Sequence, residues 1–118
     1  MKGPFNIHKK NQKIYLTTGI YNIKVLGGWS VEMNDFSLVF KKEDNGMIVE
    51  SKKTMWRVQS YDFKKIAKRI MVLDILYSGD YIIEFKNSES LKVRRSNLIL
   101  TKLFENEIPN EALEITIG

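Results

Sequence analysis

The chain has 118 residues, a formal net charge of +5 and ordinary fractions of hydrophobic and charged residues, which suits one domain with its own core. It has no cysteine and a single histidine, His8, so disulfides and thiolate chemistry are excluded, and a zinc site or a histidine-based triad is disfavoured. No apolar run approaches a signal peptide core or the roughly 20 residues of a membrane helix. A soluble cytoplasmic protein with no transmembrane segment, metal or cofactor is therefore expected.

Lysine supplies most of the excess positive charge, with 15 Lys against 4 Arg. A basic balance is compatible with binding to a polyanion such as nucleic acid. Scattered lysines also keep a sheet surface soluble and protect its edges. The solvated surface is the favoured interpretation, and the polyanion site is kept as an alternative.

In chain order, residues 1–12 are predicted to be a polar, basic N-terminal arm, and residues 13–118 a single β-sandwich domain. Alternation of apolar and polar residues predicts strands in the first half of this domain at 13–17, 20–26, 29–33, 36–42 and 47–51. Asn45-Gly46 is a strong hairpin signal, which pairs the last two of these strands.

The second half of the domain continues the same pattern, with strands predicted at 55–61, 70–77, 81–85, 91–93 and 113–117. Residues 62–69 form a basic stretch that fits either one or two turns of helix capped by Asp62 or a charged hairpin loop. Residues 96–104 fit a strand or a short helix equally well.

The stretch from 73 to 93 gives the clearest prediction of local structure. Tyr81, Ile83 and Phe85 alternate with polar or outward-facing neighbours, so they are predicted to form one buried row. Gly79 precedes them in a turn cluster, where a positive φ or a close backbone approach is expected.

Many short strands with turn signals about every ten residues predict an all-β fold. The specific prediction is an antiparallel β-sandwich of jelly-roll or Greek-key type with at most two short helices. The segment from Ser78 to Asn87 resembles the closing hairpin of GOLD-type and related jelly-roll sandwiches, in which a Gly-x-Tyr pattern follows an apolar strand. Its Gly79-Asp80-Tyr81 is also similar to the tyrosine corner of immunoglobulin-like sandwiches. The resemblance implies relatives that bind proteins or carbohydrates, mostly without catalysis.

Few residues in this sequence are typical of an active site, so the chain is predicted not to be an enzyme. The adjacent acids Glu43-Asp44, and Glu105 with Glu107, lie in turn-like stretches where solvated charge is the usual role. Gly27-Gly28 lacks the Gly-Lys and the helix of a phosphate-binding loop.

Aromatic residues could form a stacking platform for sugars or bases. The candidates are Trp29, Trp56, Tyr15, Tyr21, Tyr61 and Tyr77. Both tryptophans alternate with polar neighbours, so they are predicted to be core residues instead. Tyr61 is the aromatic residue most expected to be exposed.

Two classes of function follow. The first is a non-enzymatic protein-interaction module or small assembly subunit, with another protein or a second copy as its partner and carbohydrate binding as a variant. The second is polyanion binding through the basic stretch. The candidate binding residues are Arg57, Tyr61, Lys64, Lys65, Lys68 and Arg69, with Lys92, Arg94 and Arg95 as further contributors.

Overall fold

Two antiparallel sheets pack around one hydrophobic core, which confirms the predicted all-β sandwich. The computed structural model describes residues 2–28, 30–54, 59–62, 65–94 and 108–118. These residues form the strands β1 (Lys2–Asn6), β2 (Gln12–Leu16), β3 (Gly19–Leu26), β4 (Ser30–Glu32), β5 (Ser37–Lys42), β6 (Ile48–Glu50), β7 (Lys52–Lys53), β8 (Gln59–Asp62), β9 (Lys65–Ile75), β10 (Gly79–Lys86), β11 (Lys92–Arg94) and β12 (Glu114–Ile117). Two single turns of 3-10 helix, Ser88–Ser90 and Asn110–Ala112, are the helices in this part of the chain. No helix in the described ranges is long and apolar enough to cross a membrane.

The strands divide between two main sheets and one ribbon. Sheet I has the order β1-β12-β3-β9-β7, with β8 also paired to β9, and sheet II has the order β2-β10-β5-β6. Strands β4 and β11 form a separate two-stranded ribbon. Most of the buried apolar residues of both sheets and of the ribbon belong to one core cluster, as expected where two sheets pack face to face.

Alternation along β10 follows the sequence prediction. Tyr81 and Ile83 are buried, whereas Asp80 and Glu84 are exposed, because successive side chains of a strand point to opposite faces. Phe85, predicted to complete the buried row, is only partly buried. Its ring stacks on that of the buried Phe36, with centroids 6.4 Å apart.

Strand β9 is longer than the predicted 70–77, because it begins at Lys65 and includes most of the basic stretch. Ile23 of β3 lies opposite Met71, but the next residue, Lys24, lies opposite Arg69, so Ile70 is the extra residue of a β-bulge. The bulge lets two consecutive residues, Ile70 and Met71, both become buried.

The hairpin predicted at Asn45-Gly46 is present and joins β5 to β6. Gly46 has φ +71°, a left-handed conformation that glycine adopts without steric cost. Its N–H donates to the carbonyl of Lys42, and the N–H of Lys42 donates to the carbonyl of Met47 at 2.7 Å. These bonds set the register of both strands.

Residues 2–6, which belong to the predicted polar N-terminal arm, form β1 at the edge of sheet I. Phe5 lies opposite Ile115 of β12, and the N–H of Ile7 donates to the carbonyl of Leu113. Ile7 is buried in the core. The edge of β12 and an apolar pocket for Ile7 therefore order this segment.

Candidate interaction surface

Two connections between the sheets lie side by side at one end of the sandwich. Residues 17–18 carry the chain from β2 in sheet II to β3 in sheet I, and residues 76–78 carry it back from β9 to β10. Because β2 pairs with β10 and β3 pairs with β9, the two connections run next to each other in opposite directions. We call residues 17–18 and 76–78 the paired corner.

The two halves of the paired corner share a local sequence pattern, Ser/Thr-Gly-x-Tyr, in Thr18-Gly19-Ile20-Tyr21 and Ser78-Gly79-Asp80-Tyr81. The hydroxyl of Tyr81 donates to the carbonyl of Tyr77 at 2.5 Å, and that of Tyr21 donates to the carbonyl of Thr17 at 2.9 Å. Each tyrosine thus ties its ring to the backbone four residues upstream, as in the tyrosine corner of immunoglobulin-like sandwiches. The sequence prediction found this arrangement only at Tyr81, although the repeated pattern would have indicated both.

Hydrogen bonds also join one connection to the other. The backbone N–H of Thr18 donates to Oγ of Ser78 at 3.1 Å, and the hydroxyl of Thr18 donates to the carbonyl of Leu76 at 3.3 Å. Short polar side chains therefore satisfy backbone groups that no sheet ladder reaches. This end of the sandwich is held in place by contacts within each turn and between the turns.

The prediction of a positive φ at Gly79 is wrong, because Gly79 is the first residue of β10 and has no positive φ. What approaches it closely is a side chain. A Cβ on Gly79 would lie 3.0 Å from Cε of Lys42, whose buried stem runs over the glycine. Nζ of Lys42 lies 2.5 Å from Oδ2 of Asp44, and this hydrogen bond lowers the pKa of the Asp44 carboxyl.

Large apolar side chains around the paired corner are exposed to solvent. Ile20 is 73% exposed and lies opposite Asp74 in the sheet, while Leu76 and Tyr77 are 65% and 60% exposed. In the described part of the chain, the exposed large apolar residues are Tyr15, Ile20, Ile48, Leu76 and Tyr77. We call Ile20, Leu76 and Tyr77, which lie in or next to the paired corner, the corner surface. Isolated exposed apolar residues are normal, whereas a contiguous apolar patch is typical of interaction sites.

A surface groove of about 490 Å³ lies beside the paired corner and connects Leu76 to Ile48. Its lining is mainly apolar and comprises Met47, Ile48, Val49, Glu50, Lys52, Asp74 and Leu76. These residues come from β6, β7 and β9 and from the positions next to β6 and β9 that Met47 and Leu76 occupy, so the groove lies along one side of the sandwich where the edges of the two sheets meet.

The basic stretch, predicted as a short helix or a charged hairpin loop, is part of a strand hairpin in the described residues, and residues 65–69 belong to β9. Asp62 of β8 pairs with Lys65 of β9, and both strands continue away from this point. Arg57, Lys64 and Arg95 lie outside the described residues, as does the side chain of Tyr61, whose backbone belongs to β8.

Strand geometry separates the described cations of the basic stretch. Lys68 and Arg69 are consecutive residues of β9, so their side chains point to opposite faces of sheet I. Nζ of Lys65 lies 3.5 Å from Oε1 of Glu114, and Nη1 of Arg69 donates to Oδ1 of Asn22 at 3.4 Å. Lys92 and Arg94 belong to β11 of the separate ribbon. Among the described cations, Lys68 is therefore on the opposite face of sheet I from Arg69.

Of the six candidate aromatic residues, three have side chains among the described residues. Tyr15 and Tyr77 are exposed, while Tyr21 is partly buried and its hydroxyl is bonded to Thr17. Trp29 and Trp56, both predicted to be core residues, lie outside the described residues.

Acidic groups near the hairpin of β5 and β6 each face a lysine rather than each other. Oε2 of Glu43 lies 2.9 Å from Nζ of Lys13, and the hydrogen bond to Glu43 raises the pKa of Lys13. Asp44 is bound to Lys42 in the same way. Burial raises the pKa of the Tyr81 phenol, which lies beside this group. In the described ranges, no group of three or more His, Asp or Glu residues has the arrangement of a metal site.

His8 is part of a hydrogen-bond network that includes Asn110 and Ser88. Nδ2 of Asn110 donates to the carbonyls of Ser88 and Leu91, so Oδ1 of Asn110 acts as an acceptor. Nε2 of His8, at 2.6 Å from this oxygen, is then the donor. Ser88 also donates from Oγ to the carbonyl of Ile7. The histidine thus connects the segment after β1 to the two 3-10 turns.

Comparisons with family models, with curated proteins and with solved structures find no match to this chain. The similarity of Ser78–Asn87 to one hairpin of GOLD-type sandwiches remains a resemblance of that segment. Inference about function therefore depends on the surface described above.

Proposed function

We propose that this chain is a non-enzymatic protein-interaction module, or a small assembly subunit, that binds a protein partner through the corner surface. The observation that supports this is the exposure of Ile20, Leu76 and Tyr77 around connections that are held rigid by hydrogen bonds. Exposed apolar groups in water are unfavourable by about 25 cal/mol per Å² relative to burial, so a partner that covers them gains this free energy.

Rigidity adds to the proposal. A surface that is already ordered loses little conformational entropy on binding, which leaves more of the burial free energy for affinity. Tyrosine and isoleucine are suited to this role, because tyrosine combines a large apolar ring with a polar end.

The test is a quantitative pull-down from a lysate of the source cells at low and high salt. The corner variant carries Ile20→Ser and Tyr77→Ser, two changes at exposed positions that should leave the fold intact. The control variant carries Lys86→Ser and Lys92→Ser, two changes at exposed positions in β10 and β11. Circular dichroism and denaturant unfolding verify that both variants fold like the wild type.

The expected result is a partner that wild type and control retain at high salt and that the corner variant loses. Sedimentation analysis of the same three proteins applies the same comparison to self-association. A set of partners that is unchanged in the corner variant, with unchanged sedimentation, would overturn the proposal.

The polyanion alternative remains a prediction from the sequence. The division of Lys68 and Arg69 between two faces gives it no added support, since contact with a phosphate backbone needs cations on one surface.

A further inference from the structure

The groove beside the paired corner exists because the chain changes sheets within one residue. Strands β6 and β7 are separated only by Ser51, yet β6 is the edge of sheet II and β7 is paired with β9 in sheet I. Before Ser51 the chain belongs to β6, which is not paired with β9. The gap between β6 and β9 is the groove that Ile48 and Leu76 line.

One wall of the groove is an open strand edge. The N–H of Lys42 donates to the carbonyl of Met47, and the alternation of an antiparallel ladder makes Phe40 and Val49 the next hydrogen-bonded pair. The backbone N–H and C=O groups of Ile48 and Glu50 must then point away from β5. Among the described residues, no further strand pairs with β6 on this side.

The opposite wall also has backbone groups that point outward. The backbone of Asn22 exchanges two hydrogen bonds with that of Gly118 in the direction of β12. The backbone groups of its neighbour Tyr21 therefore point towards β9, where Tyr21 lies opposite Leu73. The backbone N–H and C=O groups of Asp74 then point away from β3. Strand β7 does not cover them, because it extends only as far as the position opposite Val72. Both walls can therefore accept an extended chain.

Charge distinguishes the groove from the rest of the molecule. Its lining has two acids, Glu50 and Asp74, and one cation, Lys52, although the whole chain has a net charge of +5. The apolar residues Ile48 and Leu76 line the same groove as the two acids. A segment that presents apolar and basic side chains would complement this lining in both respects.

We propose that this groove binds an extended peptide segment of a partner protein, in which apolar and basic residues alternate, and that the segment adds to β6 as a further strand. Backbone hydrogen bonds to Ile48 and Glu50 give affinity, while contacts with Leu76 and Asp74 select the side chains. The inference rests on the proposed function, because the occupant is a protein, but it uses backbone groups that the Ile20→Ser and Tyr77→Ser changes leave intact.

The probe is a capped synthetic peptide of about six residues, the usual length of a strand, with alternating valine and lysine. Two peptide controls are the valine–glutamate counterpart and an N-methylated valine–lysine peptide that cannot donate backbone hydrogen bonds. The protein variants are Glu50→Gln, which removes the charge alone, and Glu50→Pro, which removes the charge and the outward N–H. Proline is tolerated at an edge position whose N–H faces solvent, so both variants should fold.

Titration followed by amide chemical shifts gives the site and the dissociation constant. We expect shifts at Ile48 and Asp74, no binding of the N-methylated peptide, and binding to Glu50→Pro about fivefold weaker than to Glu50→Gln, as for one lost hydrogen bond. Equal binding to the two variants, or no binding of the valine–lysine peptide to wild type, would overturn the proposal. Wild-type dimers that Glu50→Pro abolishes would also overturn it, since the occupant would be a second copy. The pull-down with the Ile20→Ser and Tyr77→Ser variant tests the corner surface independently of the peptide titration. Either proposal can therefore fail while the other stands.

Discussion

The hydroxyl of Tyr81 donates a 2.5 Å hydrogen bond to the carbonyl of Tyr77, four residues earlier in the chain. This bond spans the connection by which the chain passes from sheet I to sheet II. The ring of Tyr81 is fully buried while Tyr77 is exposed, so one residue pair links the core to the corner surface. The order of that surface therefore depends on core packing.

Removing the Tyr81 hydroxyl should weaken this link without unfolding the protein. We expect Tyr81→Phe to lower the free energy of unfolding by about 1 kcal/mol, because a buried donor is removed and the ring is kept. Denaturant unfolding measures the change, with Tyr21→Phe as the equivalent substitution in the other connection. Unchanged unfolding midpoints in both variants would show that these bonds add nothing to stability.

The contact between Gly79 and Lys42 should behave as a coupled pair. Gly79→Ala places a methyl group 3.0 Å from Cε of Lys42, so it should destabilise the protein by displacing the lysine stem. In a Lys42→Ala background this cost should disappear, giving a coupling energy of about 0.5–2 kcal/mol. A double-mutant cycle from urea unfolding measures it, and additive effects would contradict the close contact.

Phe36 and Phe85 stack, but they differ in burial. Phe36→Ala should cost about 3–5 kcal/mol of unfolding free energy, as expected for a fully buried aromatic residue. Phe85→Ala should cost clearly less, because its ring is only partly buried. Equal losses in the two variants would mean that Phe85 is a full member of the core.

Stability should fall in acid through the hydrogen bond between Asp44 and Lys42. This bond lowers the pKa of Asp44 below its ordinary value of 3.8 in the folded state. Between the lowered pKa and pH 3.8, the folded protein binds fewer protons than the unfolded chain. The stabilisation from this hydrogen bond is therefore complete above pH 3.8 and is lost as the pH falls through the lowered pKa.

Unfolding measured as a function of pH checks this expectation. Asp44→Asn should remove part of the acid destabilisation, and Lys42→Met, which keeps an apolar stem without the cation, should remove the same part. An acid dependence identical in wild type and both variants would contradict the role of this pair.

Binding to nucleic acid should be weak. Because Lys68 and Arg69 face opposite sides of sheet I, we expect no complex with a short DNA duplex to survive at about 0.15 M salt. Fluorescence anisotropy at low and physiological salt measures this. A complex that persists and is lost in Arg69→Glu but not in Lys68→Glu would instead establish a basic site on the face of sheet I that carries Arg69.

Local patterns in the sequence determined much of the secondary structure. Asn45-Gly46 predicts its hairpin because the backbone preferences of those two residues are intrinsic to them. The alternation at Tyr81 and Ile83 predicts a buried face because the period of a strand is two residues. The Gly-x-Tyr pattern resembles that of a tyrosine corner, and the Tyr81 hydroxyl makes the corresponding hydrogen bond. The same reasoning placed residues 2–6 in a polar arm, whereas in the structure β1 pairs with β12 at the opposite end of the chain.

Tertiary structure alone decided where the candidate surface lies. Thr18 and Ser78 are 60 residues apart, and they meet only because β2 pairs with β10 and β3 with β9. The exposure of Ile20 and Leu76, the divergence of β6 from β9, and the bulge at Ile70 all depend on which strands become neighbours and in which register. Alternation states that a strand has two faces, but long-range pairing determines what covers each face. For this reason the sequence predicted the sandwich, and only the folded chain located the corner surface and its groove.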